Sequence, residues 1–303
     1  MSLLLAALLA AAPARAAAPA KPEANAAQAA PIPKGVELPG TDAEFKAADG
    51  WALHGKYQEA SDPTKFTLVL LHGRGARKEV WLKFAKTLAR EGYGYLAVDL
   101  RGHGKSQTGP DGQPAPWRKF KATRDQNDFA NTALDAQAAA GWLVQQGLIE
   151  ERIPFIGDAF GGSIALKYAA VHPKVPLLVM LSPGLAYQDV PIVNAVRAYK
   201  DRPILMVYGE LDKTASAAVP ILKLFAERSA GEKNTYVVMV PNTHGTKLMT
   251  SATIKLILDW LKNPVRPEAP VVSTTAVPGV PGEPGQLPLP ADDSAKPADD
   301  SAQ

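Results

Sequence analysis

The chain of 303 residues contains no cysteine, which excludes disulfides and thiolate metal sites. Aromatic residues make up only 7%, and no apolar run reaches the roughly 20 residues that a membrane-crossing helix needs. Charge of one sign is also scarce. Lys and Arg number 33 against 30 Asp and Glu, a net charge of +3, and no nucleic-acid recognition motif accompanies that small excess. The five histidines lack metal-ligand spacing, so no metal is expected, and no cofactor is implied. What the chain does have is a hydrophobic fraction of 46%, enough for a sizeable core.

The two ends differ from the middle. Met1-Ser-Leu-Leu-Leu-Ala-Ala-Leu-Leu-Ala-Ala-Ala12 followed by Ala14-Arg-Ala16 has the apolar core and cleavage box of an export signal over residues 1–16, without a basic residue ahead of it. Residues 17–40 are Ala/Pro-rich and without aromatics, the composition of a linker. Residues 264–303 are Pro-rich and acidic, and are expected to be a disordered tail. These readings together predict a periplasmic or extracellular protein whose folded domain spans 41–263.

Within that domain, strand-like and helix-like stretches alternate, the pattern of a doubly wound, mostly parallel α/β sheet with helices on both faces. Lys65-Phe-Thr-Leu-Val-Leu-Leu71 is a nearly continuous apolar run, as expected of a strand covered on both sides. The spacing predicts helices over 79–91, 126–147 and 246–261. Only about twenty residues separate the strands at Pro176–Leu181 and Pro203–Tyr208, too few for a large lid.

The most informative stretch is Gly157-Asp-Ala-Phe-Gly-Gly162, between an apolar run and a helical segment. Strand, Gly-bounded turn and helix is the setting of a nucleophile elbow, G-x-S-x-G, but the serine position holds Ala159. A methyl group cannot attack a carbonyl. The glycines by themselves also fit mere close packing of strand on helix. Asp158, beside the apex, and Ser163, one turn into the helix, are the nearest alternative nucleophiles.

With four further motifs in order, the chain resembles the α/β-hydrolase superfamily, particularly its single-domain esterase, lysophospholipase and serine aminopeptidase-like branches. The motifs are Leu70-Leu-His-Gly-Arg-Gly75, Val98-Asp-Leu-Arg-Gly-His-Gly-Lys-Ser106, Tyr208-Gly-Glu-Leu-Asp212 and Val240-Pro-Asn-Thr-His244. The resemblance covers about residues 50–262 and implies an eight-stranded-type sheet. It implies that Asp212 is the acid, His244 the base, and the amides of Arg74 and Phe160 the oxyanion donors, with Ala159 at the vacated nucleophile position. It also marks Gly157, Gly161 and Gly162 as the elbow glycines. The expected partner is a small ester, lipid or peptide-like ligand. Three functions stay open: a hydrolase fold deficient in turnover that binds a ligand, an enzyme in which His244 and Asp212 activate water, and an envelope-associated scaffold. Oligomeric state is not readable from the sequence.

Overall fold

In the computed structural model, residues 35–123, 125–241 and 244–268 are described. The expected signal at 1–16, most of the linker at 17–40 and the tail beyond 268 lie outside them. At the linker's end, Leu38 is buried and the Pro39 carbonyl accepts a hydrogen bond from the Tyr95 hydroxyl at 2.6 Å. The folded unit therefore begins a few residues before position 41.

Among the described residues there are ten strands and six α-helices: β1 Thr41–Lys46, β2 Ala52–Gln58, β3 Thr67–Leu71, α1 Leu82–Arg90, β4 Gly94–Asp99, α2 Ala133–Gln145, β5 Phe155–Asp158 and α3 Phe160–Val171. The chain continues through β6 Leu178–Leu181, β7 Ala186–Tyr187, β8 Val190–Pro191, α4 Val193–Ala198, β9 Ile204–Gly209, α5 Lys213–Ala230, β10 Thr235–Val240 and α6 Ser251–Lys262. Eight strands form one sheet in the order β1-β2-β4-β3-β5-β6-β9-β10. β2 pairs antiparallel with β1 and β4, and every pairing from β4 to β10 is parallel.

The apolar runs of the central strands are explained by burial on both faces. In β3, Val69 and Leu71 enter the core beneath α2 and α3, while Leu68 and Leu70 face the core beneath α1 and α6. β6 divides the same way, with Leu178 and Met180 on one side and Val179 and Leu181 on the other. Alternation of side chains across a strand makes the two cores independent of each other.

Three helices differ from their expected bounds. The first starts as a 3-10 turn at Lys78–Trp81 before α1. The second is not helical at 126–129, because the Asn127 side chain accepts the Phe129 amide and donates to the carbonyls of Gln188 and Asp189. The third is split: a 3-10 turn at Gly245–Leu248 ends before Thr250, whose hydroxyl accepts the Thr253 amide and caps α6. The short segment after β6 contains α4 and the two-stranded β7–β8 hairpin. Among the described residues no helix is long and apolar enough to cross a membrane.

From β3 the chain goes to β4 on one side and later to β5 on the other, so the carboxyl ends of β3 and β5 flank the point where strand order reverses. Open α/β sheets bind their ligands there.

Candidate active site

Ala159 occupies the turn between β5 and α3 with φ +47° and ψ −109°. That is a left-handed conformation, rare for any residue with a Cβ. The turn is held by the Ala159 amide, which donates to the Leu181 carbonyl at 2.9 Å. The three glycines are required by the closeness of the helix to the sheet. A Cβ on Gly157 would lie 2.4 Å from the Gly161 carbonyl carbon, and one on Gly161 would lie 2.3 Å from the Leu71 carbonyl oxygen. Gly162 is the least crowded, with the Gly157 oxygen 3.0 Å from its would-be Cβ. The first turn of α3 is therefore pressed onto the ends of β5 and β3.

Because β3 and β5 are neighbours, with Leu71 opposite Gly157, the loop after β3 lies beside the elbow. It carries Arg74, and the elbow's helix begins with Phe160. Neither of these two amides donates to a backbone carbonyl among the described residues. The loop itself is fixed by two buried histidines. His72 Nδ1 bonds the Gly73 carbonyl and its Nε2 accepts the Leu100 amide; His103 Nδ1 bonds the Arg101 carbonyl and its Nε2 accepts the Gly75 amide. An imidazole that accepts an amide at Nε2 and donates at Nδ1 must be neutral. Burial pushes both rings down, His103 to about 3. With both ring nitrogens engaged, these two histidines pin loops together.

Asp212 caps α5, its Oδ1 accepting the Ala215 amide at 3.0 Å. Its Oδ2 receives His244 Nδ1 at 2.7 Å. Burial would raise the Asp212 carboxyl, but the bonds from His244, Ala215 and Ser182 outweigh it and hold the group below the usual range. Burial would likewise lower His244, but the bond to Asp212 and the charges of Asp158 and Asp212 lift it above the ordinary histidine value, with Lys247 opposing. Nδ1 thus carries the proton, and Nε2 is the nitrogen able to serve as a base. The imidazole remains 28% exposed, so solvent reaches it.

Sequence reasoning missed three neighbours. Ser182, just after β6, has φ +48° and its hydroxyl accepts the Gly245 amide at 2.8 Å, fixing the start of the histidine loop. Tyr187, on the β7–β8 hairpin, sets its ring 6.5 Å from that of His244, edge to face, and its hydroxyl donates to the Ser182 carbonyl. Trp117 stacks flat on His103 and carries the guanidinium groups of Arg74 and Arg118 near its ring. Only the aromatic character of Tyr187 and Trp117 signals them in the sequence, and nothing there ties them to this edge of the sheet.

Of the two alternative nucleophiles, Ser163 is fully buried, its hydroxyl 3.5 Å from the Ala159 carbonyl, so it faces packing. Asp158 is buried between the Gly73 and Gly245 backbones. A separate cavity of about 410 Å³ lies between the loops after β3 and β4 and Trp117, lined by Arg77, Lys78, Lys105 and Arg118 against Glu79 and Asp99. Its buried acid Asp99 is already bonded to Lys78 at 2.6 Å. Among the described residues no group of three or more His, Cys, Asp or Glu is placed to hold a metal.

Residues 67–204 match the family described as the alpha/beta hydrolase fold. The chain has the α/β-hydrolase fold. It is 32% identical over 124 residues to a 2-hydroxy-6-oxononadienedioate/2-hydroxy-6-oxononatrienedioate hydrolase of Paraburkholderia phymatum, covering 40% of this chain and 37% of that one. It is 30% identical over 152 residues to the lipase LipV of Mycobacterium tuberculosis, covering 50% of this chain and 49% of the lipase. Each match therefore spans less than half of the relative. The esterase Pf2001 of Pyrococcus furiosus has the same fold, with 19% identity and a TM-score of 0.60 over 78% of this chain and 96% of the esterase.

Proposed function

We propose that this α/β-hydrolase retains the acid, the base and the oxyanion donors of an acyl-transfer site without its nucleophile, and holds a small ester, lipid or peptide-like ligand there with little turnover. The observation that carries this reading is Ala159, a methyl group in the left-handed turn where a serine hydroxyl would stand. Removing the nucleophile of a serine hydrolase costs about six orders of magnitude in kcat, and the residue of catalysis comes from binding and the oxyanion hole. The His244–Asp212 pair and the unengaged amides of Arg74 and Phe160 supply what would remain.

The 2.7 Å bond between His244 and Asp212, with the ring partly open to solvent, supports a second reading: His244 draws a proton from water as the oxygen adds to the substrate carbonyl, then returns it to the leaving alcohol or amine as the tetrahedral intermediate collapses to the acid, with no acyl-enzyme. The named relatives being hydrolases and a lipase also favours an enzyme.

Hydrolysis of short-chain nitrophenyl esters by wild type, Ala159→Ser and His244→Ala separates the two. Under the first reading wild type stays at background and Ala159→Ser gains at least about 10³-fold, the order expected from restoring a triad nucleophile. Wild-type turnover that disappears in His244→Ala supports the second reading and overturns the first. Activity in none of the three overturns both.

A further inference from the structure

Asp158 belongs to no part of the triad scheme, yet it is buried at the centre of this site. It is the last residue of β5, and the strand's alternation turns it away from the core that holds Phe155 and Phe160. Its carboxylate lies between two loops. A Cβ on Gly73 would come within 3.2 Å of Oδ2, and one on Gly245 within 2.7 Å of Oδ1. Both loops are glycine where the carboxylate meets them, so the space is made to the measure of this side chain.

A buried carboxylate costs several kcal/mol unless something compensates it. Here the compensation is incomplete. The amides of Gly73 and Thr246 lie close enough to favour the ionised form, but Oδ1 completes no well-aligned hydrogen bond among the described residues. The cation that acts on it is His244, and Asp212 repels it. His244 in turn feels Asp158 as well as Asp212, with Lys247 opposing both. The imidazole therefore has two acidic neighbours, one bonded at Nδ1 and one packed against Gly245, the next residue in the chain.

We propose that Asp158 is a positioning residue: a second acidic partner of His244 that favours the imidazolium form and holds the histidine loop against the Gly73–Arg74 loop. One side chain then sets both the charge of the base and the spacing between base and oxyanion donor. Burial pushes Asp158 up to about 6, towards the ordinary histidine range, and two such groups acting on each other behave as a coupled pair.

The test is proton NMR titration of the His244 ring, with His54 and His172 as references remote from the site. In wild type the His244 resonance is expected to show two inflections, its own and that of Asp158. In Asp158→Asn, which keeps the shape and removes the charge, the His244 midpoint falls by about one pH unit and the second inflection vanishes. A packing role alone would lower the melting temperature and leave the midpoint in place, and that result overturns the proposal. Should Asp158→Asn not fold, a single inflection in wild type overturns it equally. The readout needs no turnover, so its failure is distinguishable from failure of the vacated-nucleophile reading, which the Ala159→Ser assay decides separately.

Discussion

At the scale of single residues, the site is decided by two atoms that differ in what they permit. The Ala159 methyl has no lone pair, and His244 Nε2 does. Asp212 does two jobs with its two oxygens: Oδ1 caps α5 through Ala215, and Oδ2 fixes the imidazole. Asp212→Asn retains a cap acceptor but removes the charge, so the His244 midpoint falls, whereas Asp212→Ala also loses the cap at about 1 kcal/mol. In an Ala159→Ser background the rate–pH profile of wild-type Asp212 should therefore rise with a limb above the ordinary histidine range. The Asp212→Asn profile should have its limb at lower pH and a lower plateau. A limb unmoved by the substitution would mean that Asp212 does not govern His244. The sequence named Asp212 and His244 only through the resemblance of two strand-end motifs to those of α/β-hydrolases. It could not show the role of Ser182, because a serine after a strand has no pattern that says which loop it will bond.

At the scale of elements, the strand–turn–helix of β5 and α3 is where glycine matters most. The helix can dock only if positions 157 and 161 lack a Cβ, because the neighbouring atoms are backbone and cannot move aside. Gly161→Ala is expected to destabilise the domain by about 3 kcal/mol, the upper end of overpacking costs. Gly141 in the exposed face of α2 has nothing within 4 Å of a would-be Cβ, so Gly141→Ala should stabilise by up to about 1 kcal/mol. Urea unfolding of the two variants checks both signs. The elbow was legible from the chain, since the glycine spacing and the flanking periodicities are local. The β7–β8 hairpin was not. Its turn places Gln188 and Asp189 at positive φ, and neither residue is the glycine that usually marks such a turn. Asn127, sixty residues away, bonds both of their carbonyls, so the turn is stabilised by a tertiary contact.

At the scale of the whole molecule, buried titratable groups link stability to pH. His103 folds as the neutral imidazole and is pushed down to about 3, against about 6.5 in the unfolded chain. The unfolded state therefore binds more protons between those values, and stability falls as the pH drops from about 6.5 towards 3. His72 is shifted in the same direction. Asp158 and Asp135 act oppositely: burial raises each folded carboxyl to about 6, so lowering the pH from 6 to about 4 adds stability and opposes the loss. His103 is expected to contribute a fall in melting temperature below about pH 6.5, so that His103→Gln, whose amide takes up no proton, loses less on acidification than wild type. Equal slopes in the two proteins would exclude His103 as the cause.

The sequence by itself determined the fold class, because that rests on local signals, the apolar period and the glycine turns, while the candidate site residues came from the resemblance of motifs at strand ends. It also put Ala159 at the position where that resemblance expects a serine. The tertiary structure decided what those residues touch. The crossover at β3 and β5 brings residues 72–75 beside the elbow. The β6, β9 and β10 ends present Ser182, Asp212 and His244 on the same edge of the sheet. The packing of two loops buries Asp158 between Gly73 and Gly245. These are contacts between segments far apart in the chain, whose distances are set by sheet order and packing and leave no trace in local periodicity.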